Sequence, residues 1–376
     1  MLPKLHSTYL GPTRQACLVR GALLLVIVFA ASHFTVTGQT ATPSPSPGAN
    51  AAEAKTRADK IKRWLSVEGF TVSSRYRYVQ NRAGRTVSNQ LQYQLAARGR
   101  LKFDEKGRYS LYAGLFTGNN ITSGWNNTGW GTGDAQTNLY LKHLYFNAKP
   151  AKWLEVQFGS LGVNNGENTE ITGLDNDVYL TGERVQVRSP KNVYFDEISV
   201  TYAYLGDNTR PNAFRRLKRL DESNYHQFLV RKQINKRVAF SADYTFESGR
   251  DTLHQAVNIK TPELRVLDRV HFENYQRVDP DHGYGFSLYG EKKLHDRFTL
   301  GGGFARIDRP MLNADRFPPG NRLYLNSSIK LTREFALSTA VTQAVGSLPS
   351  SSSVRTRVDV VLTYNFLETL RQLKLQ

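Results

Sequence analysis

Several arginines of this chain stand two residues apart: Arg75 and Arg77, Arg98 and Arg100, Arg355 and Arg357. Lys102 extends the second pair, Arg108 follows it, and Arg184 and Arg188 form a wider pair. Side chains two residues apart share one face of a β-strand. A guanidinium keeps its charge at any working pH, and its planar fork suits phosphate and carboxylate. The chemistry on offer is therefore electrostatic. A wall lined with such groups raises the local concentration of anions and favours their passage. Acids expected on the same face are fewer: Glu155, Glu197, Asp243, Glu247 and Asp359. The plainer alternative is that the arginines only pair with these acids.

Reactive constellations are not found. The eight histidines are scattered, and His143 lies in Lys-His-Leu-Tyr with no nearby serine. There is no G-x-S-x-G, no H-E-x-x-H and no phosphate-binding P-loop. A single cysteine, Cys17, excludes a disulfide framework and a cysteine zinc cage. Asn164 to Asp177 is rich in Asn and Asp but lacks EF-hand spacing. We therefore expect no enzyme, no cofactor and no metal. Asn119 to Gln136 holds Trp125 and Trp130 amid Gly and Asn; it either stacks on a sugar or is a flexible external loop.

The elements that must position the arginines alternate with a period of two. Phe70, Val72, Tyr76 and Tyr78 fall on one face, with Ser73, Arg75 and Arg77 on the other. Leu91, Tyr93, Leu95, Leu101 and Phe103 oppose Gln92, Gln94, Arg98, Arg100 and Lys102. A helix would not sustain that pattern. The same alternation recurs at Ile198 to Tyr204, Val238 to Phe246, Leu323 to Leu331 and Val358 to Phe366. Short connections such as Asp104-Glu-Lys-Gly107 and Ile234-Asn-Lys-Arg237 alternate with longer stretches near 80–88, 118–136, 163–177, 206–223, 308–320 and 346–353.

That rhythm suits an all-β, up-and-down antiparallel transmembrane barrel better than a Greek-key sandwich. The count is about sixteen strands, with both ends on the short-turn side. It drops to fourteen if 252–282 is one long loop. Aromatics sit towards the ends of the apolar faces, where a membrane girdle would lie.

Length and composition agree. The chain has 376 residues, 40% hydrophobic and 22% charged, with a net charge of +18. Its mean hydropathy of −0.47 excludes a helical membrane bundle. Residues 1–38 have the pattern of a signal peptide: Lys4, Arg14 and Arg20, then Gly21 to Ala31, then small residues at Val36-Thr37-Gly38. An uncleaved anchor is the alternative. Residues 39–65 read as a Pro/Ser linker followed by a short helix over 51–65, 66–366 as the barrel, and 367–376 as a periplasmic tail.

The stretch Val358, Val360, Leu362, Tyr364 and Phe366 resembles the final-strand assembly signal of bacterial outer-membrane barrels. The ten residues after Phe366 depart from it, since that aromatic usually ends the chain. Residues 153–185 resemble a strand–loop–strand block of phosphate-selective and general porins. The resemblance implies an outer-membrane channel in a Gram-negative-type cell, usually a homotrimer, for passive diffusion of small hydrophilic solutes. It also implies the barrel-assembly machinery and lipopolysaccharide as partners. The basic lining adds an expected preference for anions, carried by Arg75, Arg77, Arg98, Arg100, Lys102, Arg108, Arg184, Arg188, Arg355 and Arg357. Arginines near the strand ends could instead bind lipopolysaccharide phosphates. The loop Asn208 to Ser223, with Arg210, Arg215, Arg216, Lys218 and Arg219, either folds inward as a constriction or lies outside against lipopolysaccharide, the outer position being preferred.

Rival readings are a lipase-like barrel enzyme, a plugged structural or adhesin barrel, and a soluble periplasmic β protein. Nucleic acid is not expected, because the basic residues are spread along strands and the chain is exported.

Overall fold

A computed structural model describes residues 63–130, 138–169, 171, 174, 176–189, 194–280, 282–308, 318–349 and 352–372. The expected signal peptide, the linker and most of the expected 51–65 helix lie outside the described residues.

The described chain is a closed barrel of sixteen antiparallel strands, each paired with its sequence neighbours. They are β1 (Leu65–Asn81), β2 (Thr86–Lys102), β3 (Tyr109–Phe116), β4 (Tyr140–Ala151), β5 (Leu154–Gly162), β6 (Tyr179–Arg188), β7 (Glu197–Tyr204) and β8 (Tyr225–Gln233). The second half is β9 (Val238–Glu247), β10 (Arg250–Lys260), β11 (Arg269–Arg277), β12 (Gly283–His295), β13 (Phe298–Ile307), β14 (Gly320–Lys330), β15 (Phe335–Ala344) and β16 (Val354–Asn365). The stretch 252–282 thus holds two strands, which settles the count at sixteen. β1 closes on β16, with Thr71 opposite Asn365 and Tyr78 opposite Val358. Closure satisfies every ladder and leaves no open edge for lipid to solvate.

Side chains are sorted inside out. Val72, Leu91, Phe158, Val200, Phe228, Phe272, Leu288, Leu325 and Leu362 are exposed on the outer face. Arg75, Gln92, Glu155, Arg184, Glu273 and Asp359 are buried on the inner one. A water-soluble domain rarely buries charge while exposing a continuous apolar belt.

One connection expected among the longer ones is tight, and so is a second, between β9 and β10. β1 and β2 are joined at Arg82 to Arg85, where the Asn81 side chain accepts from the Ala83 and Arg85 N–H groups at 3.0 and 2.9 Å. β9 and β10 are joined by Ser248-Gly249, both with positive φ (50° and 85°). That is the conformation which matches the twist of a two-residue hairpin.

Two α-helices among the described residues lie at opposite ends of the barrel. Helix α1 (Ala213–Leu217) is capped by Asn212. Helix α2 (Phe366–Gln372) follows the last strand on the short-turn side. The first six residues beyond Phe366 are therefore helical, and Leu367 is buried. Phe366 stands 5.1 Å from Phe70 and 6.2 Å from Tyr364, ring to ring, so the end of the expected assembly signal closes on β1.

Candidate functional site: the inner wall

The inner wall is built from one residue in two along every strand. Its strongest charge cluster sits where β1 meets β16. Arg77 Nε donates to Asp359 Oδ1 at 2.8 Å, and Arg357 Nε donates to Asp359 Oδ2 at 2.9 Å. One carboxylate thus holds two guanidinium groups. One step along β1, Arg75 donates from Nε and Nη2 to Gln92 Oε1 at 2.9 and 2.6 Å. Its guanidinium lies 4.3 Å above the Trp125 ring, a cation–π contact. Arg355 shares the inward register of Arg357 and is exposed.

Arg98 and Arg100 form a second group, apart from the first. The hairpin does pair β1 with β2, but its register sets Arg75 and Arg77 opposite Gln92 and Gln90, and Arg98 and Arg100 opposite Gly69 and Ser66. Six residues along β2 separate Gln92 from Arg98, about 20 Å of strand. The tight turn after Asn81 fixes this offset. Arg98 lies over Phe116 and Arg100 over Tyr112, each at 5.1 Å, and Arg100 Nη2 donates to the Gly107 carbonyl. Lys102 ends β2 on the same face. Arg108 stands in the following turn, 3.5 Å from Asp104.

Arg184 and Arg188 make a third group on β6. Arg184 is buried and donates to Thr201 Oγ1 and the Gly162 carbonyl at 3.0 and 2.6 Å. Arg188 bridges Glu155 at 2.8 Å and Glu197 at 3.3 Å.

The connection after β5 crosses the interior. Glu167 N donates to Ser241 Oγ at 2.8 Å, Asn168 Nδ2 to Asp243 Oδ2 at 3.0 Å, and Thr169 N to Glu273 Oε2 at 2.6 Å. Arg231 on β8 holds Glu167 at 2.6 Å. These partners lie on β8, β9 and β11, so the loop reaches well around the wall from its origin. Ile171 and Leu174 bury against Tyr225, Tyr275 and Tyr324, giving the interior a local apolar core beside the charged wall.

The segment Asn208 to Ser223 packs instead over the ends of β4, β5 and β6. Its Arg216 is buried, donating to Thr181 Oγ1, the Gly206 carbonyl and the Tyr204 carbonyl. Arg215 and Lys218 remain exposed. Trp125 lies beneath Arg75, and Trp130 is exposed beside Tyr93; residues 131–137 of that loop lie outside the described residues. Among the described residues no group of three or more His, Cys, Asp or Glu could hold a metal.

Two interior groups escaped the sequence reading. Glu273 sits in the stretch whose strands were ambiguous. Lys142 is buried and donates to the Asn120 and Ser123 carbonyls at 2.7 and 3.0 Å. Neither has a sequence signal, because both partners lie in loops.

No family model and no curated protein matches the chain. Solved structures do. OprB of Pseudomonas putida aligns with a TM-score of 0.54 at 12% identity, over 83% of this chain and 96% of that one. OmpF of Salmonella typhi aligns at 0.53 and 10% identity, over 80% and 97%. A mutant of the Rhodopseudomonas blastica porin aligns at 0.50 and 12% identity, over 80% and 100%. With its strands closed in simple sequence order around a polar interior, the chain has the barrel fold of the bacterial outer-membrane porins.

Proposed function

We propose that the protein is an outer-membrane porin, a water-filled channel for passive diffusion of small hydrophilic solutes, with a preference for anions. The observation that carries the channel is the inverted sorting of side chains around a closed cylinder, charge within and apolar surface without. What supports anion preference is the convergence of Arg77 and Arg357 on the single carboxylate Asp359, with Arg75 alongside. On this reading residues 1–38 direct export and the barrel-assembly machinery inserts the chain. Arg215 and Lys218 then meet lipopolysaccharide, and three copies associate. Single-channel recording in a planar bilayer tests it, with the reversal potential measured in a salt gradient on the same protein. The expected result is a stable open level with a reversal potential of anionic sign. A silent barrel overturns the channel, and a cationic sign overturns the preference.

A further inference from the structure

We propose that the outer wall over β5 to β8 is the face by which copies of this chain associate, with Glu183 as its ionic anchor. Glu183 is the fifth of ten residues in β6 and points outward, between Phe158 of β5 and Tyr202 of β7. Both of these rings are exposed on the outer belt, and so is Val185, two residues along. Glu183 is itself exposed and has no hydrogen bond or ion pair among the described residues. An unpaired carboxylate at mid-strand is costly against hydrocarbon, and such groups turn towards protein or water.

The wall around Glu183 differs from the rest of the belt. Towards the long loops, Ser160 and Thr181 continue the outward register of Phe158 and Glu183, yet both are fully buried. The segment Asn208 to Ser223 lies over them, and its Arg216 donates to Thr181 Oγ1 at 3.1 Å. The chain thus lays a polar clip of its own on the outer surface, where lipid tails would otherwise pack. The strands here are short as well. β7 has 8 residues and β8 has 9, against 17 in β1 and in β2. Eight residues are few for a tilted crossing, and association is one way in which a short span relieves the mismatch.

The occupant that fits is a second copy. Copies arranged about an axis along the membrane normal sit at one height, so each residue meets groups near its own depth. Thr181, under the clip, is two residues from Glu183, about 7 Å of strand. Arg215 and Lys218 stand exposed on the clip. A long basic side chain on a neighbour's clip spans that distance and meets the carboxylate with the opposite charge. These cations then stand between lipopolysaccharide above and a neighbour's Glu183 below, so the two contacts are compatible. The assignment rests on the channel reading for its membrane setting, and it gives the association a place on the wall.

The full chain, extracted from outer membranes in a mild detergent, is sized by sedimentation, and the composition of the peak is read by mass spectrometry. The expected result is an oligomer of this chain alone. Glu183→Lys should raise the monomer fraction severalfold while keeping the heat-shifted gel band of the folded barrel. Adding Arg215→Glu and Lys218→Glu to it should restore the assembly. Glu183→Leu separates an interface from a lipid contact. At an interface it releases monomer, whereas against hydrocarbon it leaves the assembly unaltered and raises the thermal midpoint. A monomeric parent chain, an assembly indifferent to Glu183→Lys and Glu183→Leu, or a charge reversal that restores nothing overturns the proposal. A peak holding a different protein, or a monomer whose bound phosphatidylethanolamine is lost in Glu183→Leu, gives the wall another occupant and overturns the second copy. Bilayer currents keep the two ideas apart. Open channels whose assembly ignores Glu183 sink the interface alone, and a Glu183-dependent oligomer that passes no current sinks the channel alone.

Discussion

Asp359 is the residue on which the charge balance of the inner wall turns. It holds both Arg77 and Arg357, so replacing it by Asn frees two cations at once. We expect Asp359→Asn to raise the anion-to-cation permeability ratio, and Arg357→Gln to lower it, each by a factor of about two or more. Reversal potentials of both variants would check this, and equal values would remove Asp359 from the selectivity machinery. That Arg75 and Arg77, Arg98 and Arg100, and Arg355 and Arg357 share a strand face pair by pair was legible in the sequence, because side chains alternate faces with a period of two. Their grouping was not. Whether Arg98 meets Arg75 depends on where a hairpin turns, and one residue's difference in the turn shifts every cross-strand neighbour.

Among elements, the crossing loop and the short turns invite separate tests. Thr169 and Glu273 join the crossing loop to β11 through the backbone bond at 2.6 Å and a second bond from Thr169 Oγ1. Glu273→Gln weakens that tether by replacing a charged acceptor with a neutral one. We expect larger and noisier single-channel currents, visible as added sub-levels in the bilayer record. An unchanged record would mean that Glu167, Asn168 and the apolar contacts of Ile171 suffice to hold the loop.

The short turns are pinned by carboxylates. Asp104 accepts from Tyr109 N at 2.8 Å, which holds its carboxyl below the usual range. Gln233 N and Lys232 lower Asp196 in the same way, and Lys292 with Lys293 N lowers Asp268. A depressed carboxylate stabilises the folded form above its unfolded value of about 4, and the benefit disappears as pH falls through the folded value. Thermal midpoints in detergent should therefore be flat from neutral pH to about 5 and drop below about 4. Asp104→Asn should lose part of that acid-sensitive step.

Most strands were readable from alternation, including the closing one, while β10 and β11 were not separable from a long loop. Loop destinations were not, since Thr169 finds its partner 104 residues later in the chain. The tight turn at 82–85 was hidden for a related reason. Polar composition marks a connection without stating how far the strands extend into it.

For the molecule as a whole, closure is the cooperative event. β1 and β16 share eleven paired positions, and the rings of Phe70, Tyr364 and Phe366 meet at the short-turn end of that seam. Phe366→Ala removes the ring that bridges the two strands. We expect a smaller fraction of heat-shifted barrel on semi-native gels, by severalfold, with the conductance of each assembled barrel unaltered. An equal yield would show that the seam closes without this ring.

Because Leu65 and Asn365 begin and end neighbouring strands at one rim, the cylinder has no structural first strand. A peptide bridge there, with new termini cut into the exposed Ser248-Gly249 turn, should yield a circularly permuted chain that folds to the same architecture. Seam and cut would simply have exchanged places.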